Sequence, residues 1–307
     1  MGIVIDPHLT ERSHRCRRDN ILQESLRKLR YVAERCDKVI ICGDLFHIYS
    51  NSTAFYNIIV NFFMEFRGKF DVIPGNHDCF GRNATLGKTT LGSLYYSQVL
   101  PVHFKPWKVG GVTFVPMPVN ADPKSYEPDA DNKKILIAHK FYDQAFTPEE
   151  SLFPEDIKRL NYYMAFLGHD HKPYDEKVVG NTTIIRMGSL TRIDTQCYNL
   201  DREICYYELI ISPDSEWVDY ERKVIPSTPT IDCYTENGYL RLTQKPLDVR
   251  GVVPRVSFMQ IGDAISKLTK REDGSVSLDK VLRRIETPQN SIADIKARHE
   301  LNNIQYT

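Results

Sequence analysis

The chain has 307 residues, of which 41% are hydrophobic, enough for one large domain and a smaller one. Its 40 basic residues balance 40 acidic ones, which excludes a protein that coats DNA by charge alone and confines any nucleic-acid contact to a local patch or a partner. No apolar run is long enough to span a bilayer, and MGIVI meets Asp6 too soon for a signal peptide. The seven cysteines, odd in number and some in apolar runs such as IICGD, include no CxxC pair, which fits reduced thiols in a cytoplasm and speaks against a thiolate zinc site.

In chain order, GIVID predicts a short strand, and DNILQESLRKLRYVAERC a helix with Leu22, Leu26, Leu29, Ala33 and Cys36 on one face. VIIC predicts the next strand. STAFYNIIVNFFMEF predicts a helix with Phe55, Ile59, Phe62 and Phe66 on one stripe, and KFDVIP a third strand. Alternation of strand and helix marks a layered α/β domain. GGVTFVPM, KKILIAH, YYMAFLG and NTTIIRM predict further strands, and TPEESLFPEDIKRL a helix whose start near Pro148 is rich in glutamate. ICYYELII and WVDYERKVI flank the turn-rich SPDSE and predict a hairpin. After Pro226 the linker-like IPSTPT leads to a strand in PRVSFMQI. A helix with Leu278, Val281, Leu282 and Ile285 on one face follows, then a helix capped at Ser291 with Asp294 three residues on. The chain therefore divides into residues 1–226 and a small α+β region, 227–307.

The polar residues that carry chemistry sit at the ends of these strands. IVIDPH releases Asp6 and His8, IICGDLFH releases Asp44 and His47, and DVIPGNHD releases Asn76, His77 and Asp78. ILIAH ends in His139, AFLGHDH in His169 and His171, and TIIRMGS in Gly188 and Ser189. Ligand sites of α/β sheets gather outside the carboxyl ends of strands, so these loops are expected to meet. Asp6 and His8, like His169 and His171, are two apart and point the same way in an extended chain. Imidazole, carboxylate and amide oxygen suit borderline or hard divalent cations. The set exceeds what one ion needs, whereas two ions sharing Asp44 would use all of it. Those cations would also meet the carboxylate that VIIC otherwise leaves beside a core.

The ordered set DPH, GDLFH, GNHD, AHK and GHDH, followed by GSLTR at 188–192, resembles the calcineurin-like metallophosphoesterases. GDLFH, the GS-x-x-R segment and a small C-terminal cap resemble the SbcD branch, nuclease subunits of double-strand-break repair, and the short chain resembles its compact bacteriophage members. Pro7 within the first motif and the short C-terminus depart from that pattern. The resemblance implies a two-sheet α/β sandwich flanked by helices, with an α+β cap. It implies one metal on Asp6, His8, Asp44 and His171 and a second on Asp44, Asn76, His139 and His169, with Asp44 bridging. Mn2+ is the first expectation, and Mg2+, Fe2+ and Zn2+ also fit. His77 is implied to stand over the phosphate as proton or hydrogen-bond donor, Asp78 to orient it, and His47 to contact phosphate.

Arg12, Arg15, Arg17 and Arg18 directly follow the first ligand pair and are expected either as a solvated loop or as contacts to a DNA backbone, and Arg192, which closes GSLTR, is expected at that backbone too. Tyr142, Tyr162 and Tyr163 are expected in the core more than on bases. His14, His103 and His299 stand outside the motifs and are expected at the surface, and Cys79 as an inert small residue. The leading expectation is a DNA exonuclease and single-strand endonuclease of repair, recombination or replication, homodimeric and working with an SbcC-like coiled-coil ATPase. A phosphoesterase of small substrates (a cyclic-nucleotide phosphodiesterase or protein phosphatase) and a weakly catalytic scaffold for DNA ends compete with it.

Overall fold

The computed structural model describes residues 1–12, 19–81, 85–143, 150–193, 202–211 and 218–226, and the backbone of 232–236 and 239–243. Its apolar runs become strands buried from end to end, as strands covered on both faces must: β1 (Gly2–Ile5), β2 (Val39–Cys42) and β3 (Phe70–Ile73). Two helices connect them, α1 (Ile21–Ala33) and α2 (Thr53–Glu65), and α3 (Thr90–Tyr96) follows β3. Asn20 and Ser52 accept hydrogen bonds from Gln23 and Phe55 and so satisfy first-turn amides of α1 and α2.

Next come β4 (Trp107–Val109), β5 (Val112–Met117), β6 (Ile135–His139), β7 (Phe141–Tyr142), β8 (Ser151–Leu152), α4 (Pro154–Leu160) and β9 (Met164–Gly168). The series ends with β10 (Tyr174–Val179), β11 (Thr182–Arg186), β12 (Cys205–Ile211) and β13 (Val218–Val224). One five-stranded sheet runs β13-β12-β1-β2-β3, and a six-stranded sheet runs β10-β11-β9-β6-β5-β4.

Strand alternation sorts the side chains into layers. Ile3, Ile5, Ile40, Cys42 and Ile73 meet Phe114, Ile135, Ile137, Met164, Phe166 and Ile185 between the two sheets. The intervening Val4, Val39, Ile41 and Val72 pack under Leu29, Val32, Phe55, Ile59 and Phe63 of α1 and α2. Leu136, Ala138, Ala165 and Leu167 pack against Ile157 and Leu160 of α4. The result is the expected two-sheet sandwich with helices on its outer faces.

β12 and β13 pair as the expected hairpin, Cys205 opposite Val224. The helix expected from Pro148 begins at Pro154 instead: Ser151–Leu152 is strand, and proline suits the first helical turn. β4, β7, β10 and α3 were not foreseen. Contacts divide the chain into two units. The first comprises Met1–Arg12, Asn20–Thr191 and Glu203–Thr228; the second comprises Ser13–Asp19, Arg192–Arg202 and Pro229–Thr307. In the second, β14 (Asp232–Glu236) and β15 (Tyr239–Thr243) form an antiparallel pair. The expected strand at 254–261 and both C-terminal helices lie outside the described residues. Among the described residues no helix is long and apolar enough to cross a membrane.

Candidate metal centre

β1, β2 and β3 are parallel, as are β6 and β9, so each set delivers its motif loops at one edge. The loops meet there. One group of donor atoms, from Asp6, His8 and His171, lies within 4.8 Å of one another, and a second group comes from Asp44, His139 and His169. His8 Nε2 and His171 Nε2 face each other at 2.9 Å. A single oxygen, Asp44 Oδ2, lies 3.6 Å from His8 Nε2 and 3.3 Å from His139 Nε2, between the two groups. Asn76 Oδ1 adjoins the second group at 2.9 Å from His139 Nε2.

The donor set fits cations. His8 Nδ1 and His169 Nε2 are buried without a hydrogen-bond partner, although buried polar atoms are ordinarily satisfied, while Asp6 Oδ1 and His139 Nδ1 face each other at 3.3 Å. Carboxylate and imidazole are ligands that borderline divalent ions take. The backbone is also bent to make the site. Asp6, His8, Asp44 and His169 have φ of 46°, 47°, 40° and 88°, a region that non-glycine residues adopt at a cost and that concentrates at functional sites. The glycines of GD, GN and GH leave room for it. A Cβ would stand 2.0 Å from His139 Nδ1 at Gly43, 2.1 Å from Asp44 Oδ1 at Gly75 and 2.7 Å from Asp6 Oδ1 at Gly168.

Burial disfavours every charge here, and the carboxylates and imidazoles answer one another. Burial pushes the Asp44 carboxyl up, but His139 and His8 outweigh it and hold it below the usual carboxylate range. Burial pushes His139 down, but Asp44 and Asp6 carry it up to about 10. That pull on a proton reflects the negative field a cation would meet. Burial, then the neighbouring His139, lowers His169 to about 3, and burial lowers His8 well below its ordinary value; both are neutral imidazoles, the form that ligates.

His77 and His47 sit beside the first group. Their rings stack at 5.4 Å and 15°, and the His77 ring lies 5.1 Å from that of His8. His47 is held neutral by burial and by His77. The expectation that Asp78 orients the His77 ring does not hold. His77 Nδ1 donates to the His47 carbonyl at 2.6 Å. The Asp78 carboxylate instead accepts from the amides of Leu45, Phe46 and Gly75, at 3.1, 2.9 and 3.0 Å. Asp78 therefore fastens the GD loop to the GN loop, and burial, then the charge of Asp44, raises its carboxyl to about 7.

Arg186 has a supporting role that the sequence did not disclose. Its Nη2 donates to Asp170 Oδ2 at 2.8 Å and to the Lys172 carbonyl at 3.0 Å, pinning the loop that bears His169 and His171. Arg12 is exposed, and its charge helps keep His47 neutral. Arg192 is buried and donates Nη2 to the Arg202 carbonyl at 2.6 Å. Arg15, Arg17, Arg18, His14 and His299 lie outside the described residues. Ser189 is buried and bonds the Thr191 carbonyl, while Leu190 N–H donates to Ile5, so GSLTR braces β1.

Tyr142 and Tyr162 belong to the core beneath α4, as expected, and Tyr163 donates its hydroxyl to the Val218 carbonyl. Cys79 is buried, and burial raises its thiol to about 12, which makes it inert. His103 is not a free surface residue. It bonds Asp71 at 2.8 Å and stacks on Trp107 at 4.2 Å, joining the edge strands β3 and β4 of the two sheets.

Paired Asp/His groups at the strand ends of a two-sheet α/β sandwich define a metallohydrolase. Residues 6–188 match the family of calcineurin-like phosphoesterases, and the chain belongs to that family, whose members hydrolyse phosphoesters with divalent metals. The crystal structure of TT1561 of Thermus thermophilus is similar at 14% identity over 72% of this chain and 96% of that one, with a TM-score of 0.42. A further crystal structure is similar at 13% identity over 72% of this chain and 99% of the other, with a TM-score of 0.41. No curated protein matches.

Proposed function

We propose that the protein is a two-metal DNA nuclease that cuts phosphodiester bonds at ends and in single strands. One observation carries the reading: His47, supplied by GDLFH, stacks on His77 at the rim of the metal groups, with exposed Arg12 close enough to act on its charge. Two imidazoles and a guanidinium so placed would suit a phosphate chain, which supports the nuclease reading.

Asp6, His8, Asp44 and His171 would hold one ion, and Asp44, Asn76, His139 and His169 the other. Bound there, two divalent ions, Mn2+ first, would neutralise phosphoryl charge and acidify water. The chain's own residues do the rest. A carbonyl only accepts, so the His47 carbonyl fixes the proton on His77 Nδ1 and leaves Nε2 as the atom that exchanges a proton with the leaving oxygen. His47, held neutral, can donate one hydrogen bond to a non-bridging oxygen without adding charge. Arg12 would hold the backbone beyond the scissile bond.

The near-neutral chain has little long-range attraction for duplex DNA, so an SbcC-like coiled-coil ATPase is proposed to share that task in the cytoplasm. It would dock on the segment after about residue 275 of a homodimer, through the Leu278, Val281, Leu282 and Ile285 face. The test is incubation of purified protein with Mn2+ or Mg2+ and labelled single- and double-stranded DNA, beside p-nitrophenyl phosphate esters. Cleavage of DNA with a preference for single strands and ends is expected. Turnover of the small esters with DNA left intact would replace the nuclease reading by one of a small-molecule phosphoesterase.

A further inference from the structure

Tyr49 and Phe80 stand where neither the metal groups nor the core uses them. Each rides on a loop that leaves the centre: Tyr49 is two residues past His47, and Phe80 three past His77. Their rings meet edge to face at 5.2 Å, and they remain 41% and 40% exposed, unlike the tyrosines Tyr142 and Tyr162 that the core absorbs. The Lys88 ammonium lies 5.5 Å from the centre of the Phe80 ring. The pair cannot simply fold inward, because its loops are tied down. Thr90 N–H donates to the Tyr49 carbonyl at 2.7 Å, and the Asn51 backbone and side-chain amides both bond Thr90 Oγ1 at 3.1 Å. Phe80 and Thr85 exchange backbone hydrogen bonds at 2.9 and 3.4 Å.

We propose that Tyr49 and Phe80 form a stacking platform for a nucleobase of single-stranded DNA next to the scissile bond, with Lys88 meeting the following phosphate. The inference rests on the nuclease reading and deepens it by naming what holds the strand. Every base offers a π-face, so aromatic rings beside a cation bind single strands without regard to sequence. Two residues of chain span at most roughly 7 Å from His47, the scale that separates a phosphate from the base of its own nucleotide. A fixed pair of half-exposed rings is also too small a surface for a protein partner, which needs hundreds of square ångströms on each side.

The test is an abasic scan. The wild type, the Tyr49→Ala/Phe80→Ala variant and the Tyr49→Phe/Phe80→Tyr variant are assayed with Mn2+ on a single-stranded homopolymer and on copies abasic at one position beside the cut. In the wild type one abasic position should raise KM about tenfold, within the range that base stacking on aromatic rings gives. In the alanine variant KM on the intact strand should rise about as much, and the abasic-to-intact ratio should fall to near one. The Phe/Tyr exchange should restore the wild-type ratio. An alanine variant that cuts DNA with the wild-type ratio overturns the platform and leaves the nuclease reading intact. A wild type that hydrolyses p-nitrophenyl esters yet neither cuts nor binds the oligonucleotide overturns both. If the double alanine variant is unfolded by circular dichroism, each single alanine variant is read by the same ratio.

Discussion

Gly75→Ala should disable the centre without unfolding the protein. An added Cβ would stand 2.1 Å from Asp44 Oδ1 and 2.3 Å from the Asp44 backbone nitrogen. Real Cβ contacts essentially never fall below 3.0 Å, so the carboxylate or its backbone must retreat by about an ångström. The backbone has little freedom to do so. Asp44 Oδ1 accepts the His77 amide at 2.9 Å, and Asp78 ties Gly75 to Leu45 and Phe46. Such overpacking costs about 1–3 kcal/mol, a fall in Tm of roughly 2–12 °C for a domain of this size. A misplacement near 1 Å costs turnover about 10²-fold. Isothermal titration with Mn2+ and hydrolysis of a small phosphodiester, each against a Gly87→Ala control whose Cβ meets nothing within 4 Å, read the two effects. A folded Gly75→Ala protein with wild-type metal affinity and turnover would refute the claim that this close approach positions Asp44.

If the His77 ring acts at the leaving group as proposed, and is surplus to both ligand sets, His77→Ser should keep metal affinity and lose turnover by about 10²–10⁴-fold; loss of metal in calorimetry would make His77 a ligand instead. Arg186→Ala should weaken metal binding about 10- to 100-fold by releasing the loop of His169 and His171, and unchanged affinity in the same titration would assign Arg186 to the fold alone. Asp71 gives an acid-stability signature. Burial pushes its carboxyl up, but His103 and Lys38 outweigh burial and hold it below the ordinary value. A depressed folded-state pKa gives stability that is present above the unfolded value, near 3.9, and is lost as pH falls through the folded one. The Tm difference between wild type and Asp71→Asn should therefore be present above about pH 4 and shrink below it; a gap that does not change with pH would rule out the pairing as its source.

The strands that position the centre could be read from sequence because they are buried on both faces. Runs such as VIIC and ILIAH are unbroken, and a charged or polar residue marks where each leaves the sheet. β10 was missed for the converse reason: it is a sheet edge, and YDEKVV carries charges that an interior strand would not. α3 was hidden by Gly92 and the Thr89–Thr90 pair, residues of low helix propensity that serve here as a cap and a close contact. In the site, residue types and spacing pointed to the acids, imidazoles and Asn76, since ligand chemistry is written in them. The partners that hold them were not legible. Nothing local in the sequence says that Asp78 takes amides of another loop, or that Arg186 at the end of β11 reaches Asp170. Those contacts exist only once the strands are side by side.

The most direct measurement is metal stoichiometry by elemental analysis of dialysed protein loaded with Mn2+, for the wild type and Asp44→Ala. Asp44 Oδ2 lies between the two donor groups, within 3.6 Å of His8 Nε2 and 3.3 Å of His139 Nε2. Two ions per chain in the wild type, with both lost or weakened in Asp44→Ala and hydrolysis of phosphodiesters abolished, is the predicted result. A single ion in the wild type, or full occupancy and activity in Asp44→Ala, would contradict a two-metal phosphoesterase centre bridged by Asp44.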